Sequence, residues 1–135
     1  MDGSCLCGKI TLRLTGEPEL RLVCHCTHCQ KHTGSAFSLL YAYPREHVEI
    51  NGVLHRYPDS GDSGKPVDRL FCPDCGSSVA ADAHIMPELL FLYGGALNDG
   101  ANLSPVRELF CDSASPWVHL AGLERFARLP SEAGQ

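Results

Sequence analysis

Seven of the eight cysteines fall into three tight groups, and nothing else in the chain restricts its fold as strongly. Cys5 and Cys7 form a CxC, Cys24, Cys26 and Cys29 a CxCxxC, and Cys72 and Cys75 a CPxCG. Thiols this close along a chain are half-cystines or metal ligands. An even number of cysteines in a small chain is also the pattern of a disulfide framework. The opening residues, Met1-Asp2-Gly3-Ser4-Cys5, hold neither a basic region nor an apolar run, so the expected compartment is the reducing cytoplasm. There the spacing is that of zinc ligands.

Structural zinc takes four tetrahedral ligands, and a tight turn with two cysteines supplies two of them. Cys5, Cys7, Cys72 and Cys75 therefore make one complete site, while Cys24, Cys26 and Cys29 can wrap a second ion alone. The expectation is two zinc ions per chain, one fully ligated and one short of a ligand. Catalytic zinc keeps a position for substrate, and structural zinc does not. Three thiolates leave the centre with a net negative charge, which makes it poor at acidifying water and suited to a soft ligand such as a sulfur anion. A small thiol is the partner this chemistry expects. The alternative is a second closed site, with His25, His28 or His32 as fourth ligand and no chemistry. His28 or His32 could instead shuttle protons near neutral pH.

A chain of 135 residues with 44% hydrophobic content is sized for one domain with an ordinary core. The net charge of -5 offers no basic face to a phosphate backbone, and no apolar run is long enough to cross a bilayer. Neither a nucleic acid nor a membrane is an expected partner.

Between the cysteine groups the hydrophobic pattern has period two. Over 9–14, Ile10, Leu12 and Leu14 share one face, and Leu20 and Leu22 resume the alternation into Cys24. Residues 27–33 predict a short helical turn closed by Gly34. Phe37, Leu39, Tyr41 and Tyr43 line one face of a strand that Pro44 ends, and residues 48–57 read as a hairpin about Asn51-Gly52. The stretch 58–66 reads as a polar loop whose Asp59 and Asp62, with Asp68, form a solvated charged surface. Strands are also expected over 67–72, 77–81, 88–97 and 106–111, and residues 120–129 have helical spacing. The fold class is mainly β, and residues 130–135 are expected to fray.

Taken in order, Gly3-Ser4-Cys5-Leu6-Cys7-Gly8, Cys24-His25-Cys26-Thr27-His28-Cys29, Phe71-Cys72-Pro73-Asp74-Cys75-Gly76 and the late Pro116-Trp117 resemble the glutathione-dependent formaldehyde-activating enzyme family, also called the CENP-V/GFA domain. The resemblance runs over nearly the whole chain, about residues 2–125, which implies a zinc domain over 2–125 followed by a tail over 126–135. It implies a fold similar to Mss4, with several small coiled antiparallel sheets organised around zinc. It also implies a structural zinc on Cys5, Cys7, Cys72 and Cys75 and a catalytic zinc on Cys24, Cys26 and Cys29. The implied activity is that of a carbon-sulfur lyase or synthase acting on the adduct of glutathione, or a similar thiol, with formaldehyde. Gln30 stands where relatives commonly carry arginine, which removes a fixed cation beside the second zinc. A zinc-stabilised binding module without turnover is the alternative of a different class.

Cys111 lies outside the three groups and reads as a buried strand cysteine packing as a small apolar residue. The sharper reading makes it a redox nucleophile, as in methionine sulfoxide reductases of the B type, with Arg107 as the only nearby base. Trp117 and the tyrosines read as core or pocket wall, and His47, His55, His84 and His119 as solvated or satisfied side chains.

Overall fold

The computed structural model describes residues 1–130, and residues 131–135 of the expected tail lie outside the described residues. The alternation over 9–14 becomes β2 (Thr11–Leu14), which buries Leu12 and Leu14 and turns Thr11 and Arg13 outward. It pairs antiparallel with β1 (Asp2–Ser4) and β5 (Val48–Asn51) in a three-stranded sheet. An eight-stranded sheet holds β3 (Leu20–Cys24), β4 (Ser38–Pro44), β6 (His55–Asp59), β7 (Val67–Phe71), β8 (Ser78–Ala83), β9 (Leu89–Tyr93), β10 (Arg107–Leu109) and β11 (Glu124–Arg125). Their spatial order is β11-β10-β3-β4-β9-β8-β7-β6. Pairing is antiparallel except at one edge, where β10 runs parallel to β3 and β11. The chain is mainly β, as its periodicity requires.

The middle of the large sheet is buried on both faces. Tyr41, Tyr43, Leu90 and Leu92 pack in one core with Ile10, Leu12 and Leu14. Leu40, Ala42, Leu89, Phe91 and Tyr93 belong to a second core with Leu22, Leu109 and Phe110. That is why Leu89-Leu90-Phe91-Leu92 is an unbroken apolar run, as a strand covered on both sides must be. Each core takes one cysteine group: Cys5 and Cys72 lie in the first, and Cys24, Cys26 and Cys29 in the second.

The hairpin expected at Asn51-Gly52 does not form, because β5 pairs with β2 while β6 pairs with β7 in the other sheet. A two-residue hairpin of that type needs positive φ at both central positions. Gly52 has it, at 104°, but among the described residues Phe110 is the only non-glycine residue with positive φ, so Asn51 does not. Gly52 serves a close approach instead: a Cβ there would lie 2.6 Å from the Lys9 carbonyl oxygen. Residues 120–129 are not helical but form turns and the short β11. The N–H groups of Phe110, Cys111 and Asp112 donate to the carbonyls of Arg128, Phe126 and Ala127, so the sheet edge outcompetes the helical spacing.

Candidate metal centres and their pocket

β1 delivers Cys5, and β7 delivers Cys72 into a knuckle closed by Gly76, whose N–H bonds the Cys72 carbonyl at 2.9 Å with φ at 78°. The Sγ atoms of Cys5, Cys7, Cys72 and Cys75 all lie within 4.8 Å of one another. Cys5 and Cys7 are 3.6 Å apart and Cys7 and Cys72 3.8 Å. Four sulfurs at about 2.3 Å from a tetrahedral centre stand roughly 3.8 Å from each other, whereas a disulfide needs about 2.05 Å. The set is shaped for a metal, and every cysteine is free. The Ser77 hydroxyl accepts from the Leu6 N–H and bonds Cys75 at 3.2 Å. Together with the Ser77 N–H, it pulls the Cys75 thiol down to about 5.

The second set is built by a strand end and a helix cap. β3 places Cys24 at its last residue, and Cys26 caps α1 (Thr27–Thr33), its Sγ accepting the Cys29 N–H at 3.2 Å. Gly34, with φ at 69°, closes the helix as expected by returning its N–H to the Gln30 carbonyl. The three buried Sγ atoms lie within 4.8 Å of one another, and among the described residues no histidine or carboxylate joins the set. His25 is fully buried and bonds Glu108 of β10 through Nε2 at 2.9 Å. His28 sits between Asp59, 2.8 Å from Nδ1, and Asp62, 3.3 Å from Nε2. His32 Nδ1 is 3.0 Å from the Tyr93 hydroxyl. None of the three brings a nitrogen to the sulfurs, so the closed-site alternative has no ligand.

Charge is arranged around Cys29. Hydrogen bonds from the Cys24 and Cys26 thiols hold its thiol down at about 2, against burial and with help from Ser38 and Arg69. Cys24 is pushed far up by its bonds to Cys26 and Cys29 and by burial. Cys26 is raised to about 11, where Cys29 and burial outweigh the bond from Cys24. Cys29 is thus the sulfur whose surroundings most favour negative charge, and a dication is the group that would let all three ionise.

The sequence reading missed Arg69 and misread Asp59. Asp59 is not part of a solvated loop: β6 carries it inward, where it accepts from the Arg69 Nε at 3.1 Å and faces His28. Arg69 Nη1 reaches the Tyr93 hydroxyl at 3.2 Å and the Cys29 Sγ at 3.8 Å. The fixed cation expected to be lost with Gln30 is present and comes from β7. Gln30 donates its Nε2 to the carbonyls of His25 and Ser113, at 2.8 and 3.1 Å, and so ties down the ligand loop. The available signal was the charged pair Asp68-Arg69 inside the strand 67–71, which marks buried partners without naming them. Asp62 accepts the N–H and hydroxyl of Thr27, and Asp68 bonds Arg56 and His84.

Cys24, Cys26, Cys29 and Arg69 line a pocket of about 200 Å³ in the second core, walled by side chains such as Leu22, Leu40, Phe91 and Leu109. Cys111 is not among its lining residues. It is half-buried in a 3₁₀ turn after β10, not in the strand, because Phe110 adopts left-handed φ and breaks the extended chain. Trp117 is 73% exposed and walls no part of this pocket, and Tyr57 is exposed as well, whereas Tyr41 and Tyr43 are core.

Comparison with known proteins agrees with the cysteine pattern. A crystal structure of a Rhodobacter sphaeroides protein superposes with a TM-score of 0.60 at 18% identity, covering 78% of this chain and 98% of that one, which shows a shared fold. Two curated proteins, from Aspergillus flavus and Aspergillus oryzae, carry provisional names as glutathione-dependent formaldehyde-activating enzymes and are each 26% identical over 77 residues. The matched stretch is 56% of this chain and spans 40% of the length of those relatives. The sequence profile of that family matches residues 1–113, which takes in all three cysteine groups. The chain therefore belongs to the glutathione-dependent formaldehyde-activating enzyme family.

Proposed function

We propose that this chain is a zinc-dependent carbon-sulfur lyase or synthase that joins a small thiol to an aldehyde, or releases it, in the cytoplasm. The observation that carries the reading is the inequality of the two cysteine sets: four sulfurs converge in one, whereas three line a pocket in the other with no further protein donor among the described residues. Cys24, Cys26 and Cys29 are the residues that would hold the catalytic ion, and Cys5, Cys7, Cys72 and Cys75 those that would hold the structural one. Zinc on three thiolates supplies a soft position that favours a thiol as its thiolate. The Arg69 guanidinium offsets the negative charge of the sulfur set at Cys29, and Asp59 and Tyr93 hold it there. The apolar walls exclude water from the sulfur of the substrate. In the forward direction the thiol sulfur forms a bond to the carbonyl carbon, the carbonyl π pair moves to oxygen, and the thiol proton ends on that oxygen, so nothing is oxidised. The family's name supports glutathione as the thiol and formaldehyde as the aldehyde.

Cys26→Ser tests the reading, because serine still caps α1 while removing a sulfur. Metal analysis should find two zinc ions per wild-type chain and one in the variant, and thiol-aldehyde turnover should be abolished. X-ray absorption at the zinc edge should show a fourth sulfur joining one ion when thiol is added. Coordination unchanged by thiol would leave a binding module, and loss of activity in Cys111→Ser instead of Cys26→Ser would mark a reductase.

A further inference from the structure

We infer that Lys65 and Arg107 grip carboxylates at the mouth of the pocket, and so select a thiol that bears an anionic group on either side of its sulfur, as glutathione does. The inference rests on the carbon-sulfur reading and adds the residues that would hold the rest of the thiol. The floor of the pocket offers little to a charge. Leu22, Leu40, Phe91 and Leu109 are apolar, and Arg69 is already bound to Asp59, Tyr93 and Cys29. The other charged residues along the pocket are Asp62, Lys65 and Arg107. Asp62 is engaged by the N–H and hydroxyl of Thr27. Lys65 and Arg107 are only partly buried. Arg107 has Glu124 beside it at 3.8 Å, in a contact exposed on both sides, and pairs of that kind hold a side chain weakly.

Strand register places the two cations on opposite flanks. On β10, Leu109 is level with Cys24 and Arg107 with Leu22. Alternate residues of a strand share a face, so Arg107 follows Leu109 along the pocket wall, about 6–7 Å from the level of the sulfurs. On β7, Arg69 stands at Cys29, Val67 lies two residues further along the same wall, and Lys65 lies two beyond that in the loop before the strand. That loop is fixed at both ends, through Asp62 to the first turn of α1 and through the Pro66 carbonyl to the His84 N–H. β10 and β7 lie on either side of the central strands, with Cys24 on β3 between them. Glutathione has the matching layout. Its thiol is central, its glycine carboxylate lies one peptide unit beyond the cysteine, about 3.8 Å from Cα to Cα, and its other carboxylate lies on the γ-linked arm. A guanidinium meets a carboxylate with two parallel hydrogen bonds and an ammonium meets it as a point charge. The chain carries a net charge of -5, so an anionic thiol depends on such local cations and not on the overall field.

Calorimetry on the zinc-loaded full chain with glutathione, its dimethyl ester and S-methylglutathione tests this. At a partly exposed mouth each cation should contribute about three- to tenfold in affinity. Glutathione should therefore bind wild type about 10- to 100-fold more tightly than the ester, and the gap should narrow as salt is raised. Lys65→Gln and Arg107→Gln should each shrink the gap about three- to tenfold, whereas Lys65→Arg should keep it. Equal affinities of acid and ester in wild type, a gap indifferent to salt, or glutamine variants that weaken both ligands alike would overturn the carboxylate assignment. The wild-type comparison and its salt dependence require no variant to fold. S-Methylglutathione separates the two readings, because it keeps both carboxylates and blocks the sulfur. If it binds as tightly as glutathione while the ester binds weakly, the carbon-sulfur chemistry falls and the roles of Lys65 and Arg107 stand.

Discussion

Arg69 holds the second site together at the scale of single residues. Its side chain is 5% exposed, and a cation so buried persists only where partners replace its lost hydration. Arg69→Met keeps most of the stem but leaves Asp59 with His28 and the Ser60 N–H, and the charge on Cys29 unopposed by a guanidinium. Urea denaturation should show a loss of about 3–5 kcal/mol, and Arg69→Lys should recover part of it, since one ammonium cannot keep the planar fork's three contacts. Asp59 adds a pH signature. Burial would raise its carboxyl, but the bonds from His28 and Arg69 outweigh burial and hold it at about 2, below the ordinary 3.8. A depressed carboxylate stabilises the fold fully above its unfolded value and loses that contribution as pH falls through the folded one. The stability gap between wild type and Asp59→Asn should thus be constant above about pH 4 and shrink toward pH 2, which paired denaturation curves would show.

Among the elements, the ligand loop between β3 and α1 is held at both ends by bonds that have nothing to do with metal. His25 reaches Glu108, Gln30 bonds two carbonyls, and the Cys26 sulfur doubles as helix cap. The loop is therefore preorganised, which fits ligands that must meet an ion without refolding. Connections between sheets are equally specific. Gly52→Ala would force a side chain onto the Lys9 carbonyl and the Ile10 side chain at a positive φ, and a thermal melt should report a loss of about 2–3 kcal/mol. A loss of a few tenths would mean that the β5–β6 connection is slack. Of these elements, the strands before the second and third cysteine groups and the helix closed by Gly34 were readable from local pattern, whereas β1 before Cys5 was not. The hairpin was not, because Asn-Gly describes a turn's dihedrals and says nothing of which sheet each flanking strand joins.

For the whole molecule, each of the two cores holds one of the sulfur sets. Cys72 is fully buried among Ile10, Leu12 and Val79, and the structural zinc proposed there would be worth on the order of 10 kcal/mol, as much as the whole stability of a typical domain. Chelation, or Cys72→Ser, should abolish the cooperative melt, while Cys26→Ser should leave it in place. A chelated sample with an unshifted transition would remove the structural role from the four-cysteine set. The sequence alone determined the mainly β class, the turns that bring cysteines together two or three residues apart, and the partition of seven thiols into four and three. Each of these depends on a few neighbouring dihedrals or on a count of sulfurs. Only the tertiary structure decided that the histidines stay off the second set, that Arg69 and Asp59 reach it, and that it opens into an apolar pocket. Those outcomes depend on the register of strands far apart in the chain, where a shift of one residue would turn Arg69 to the opposite face of the sheet.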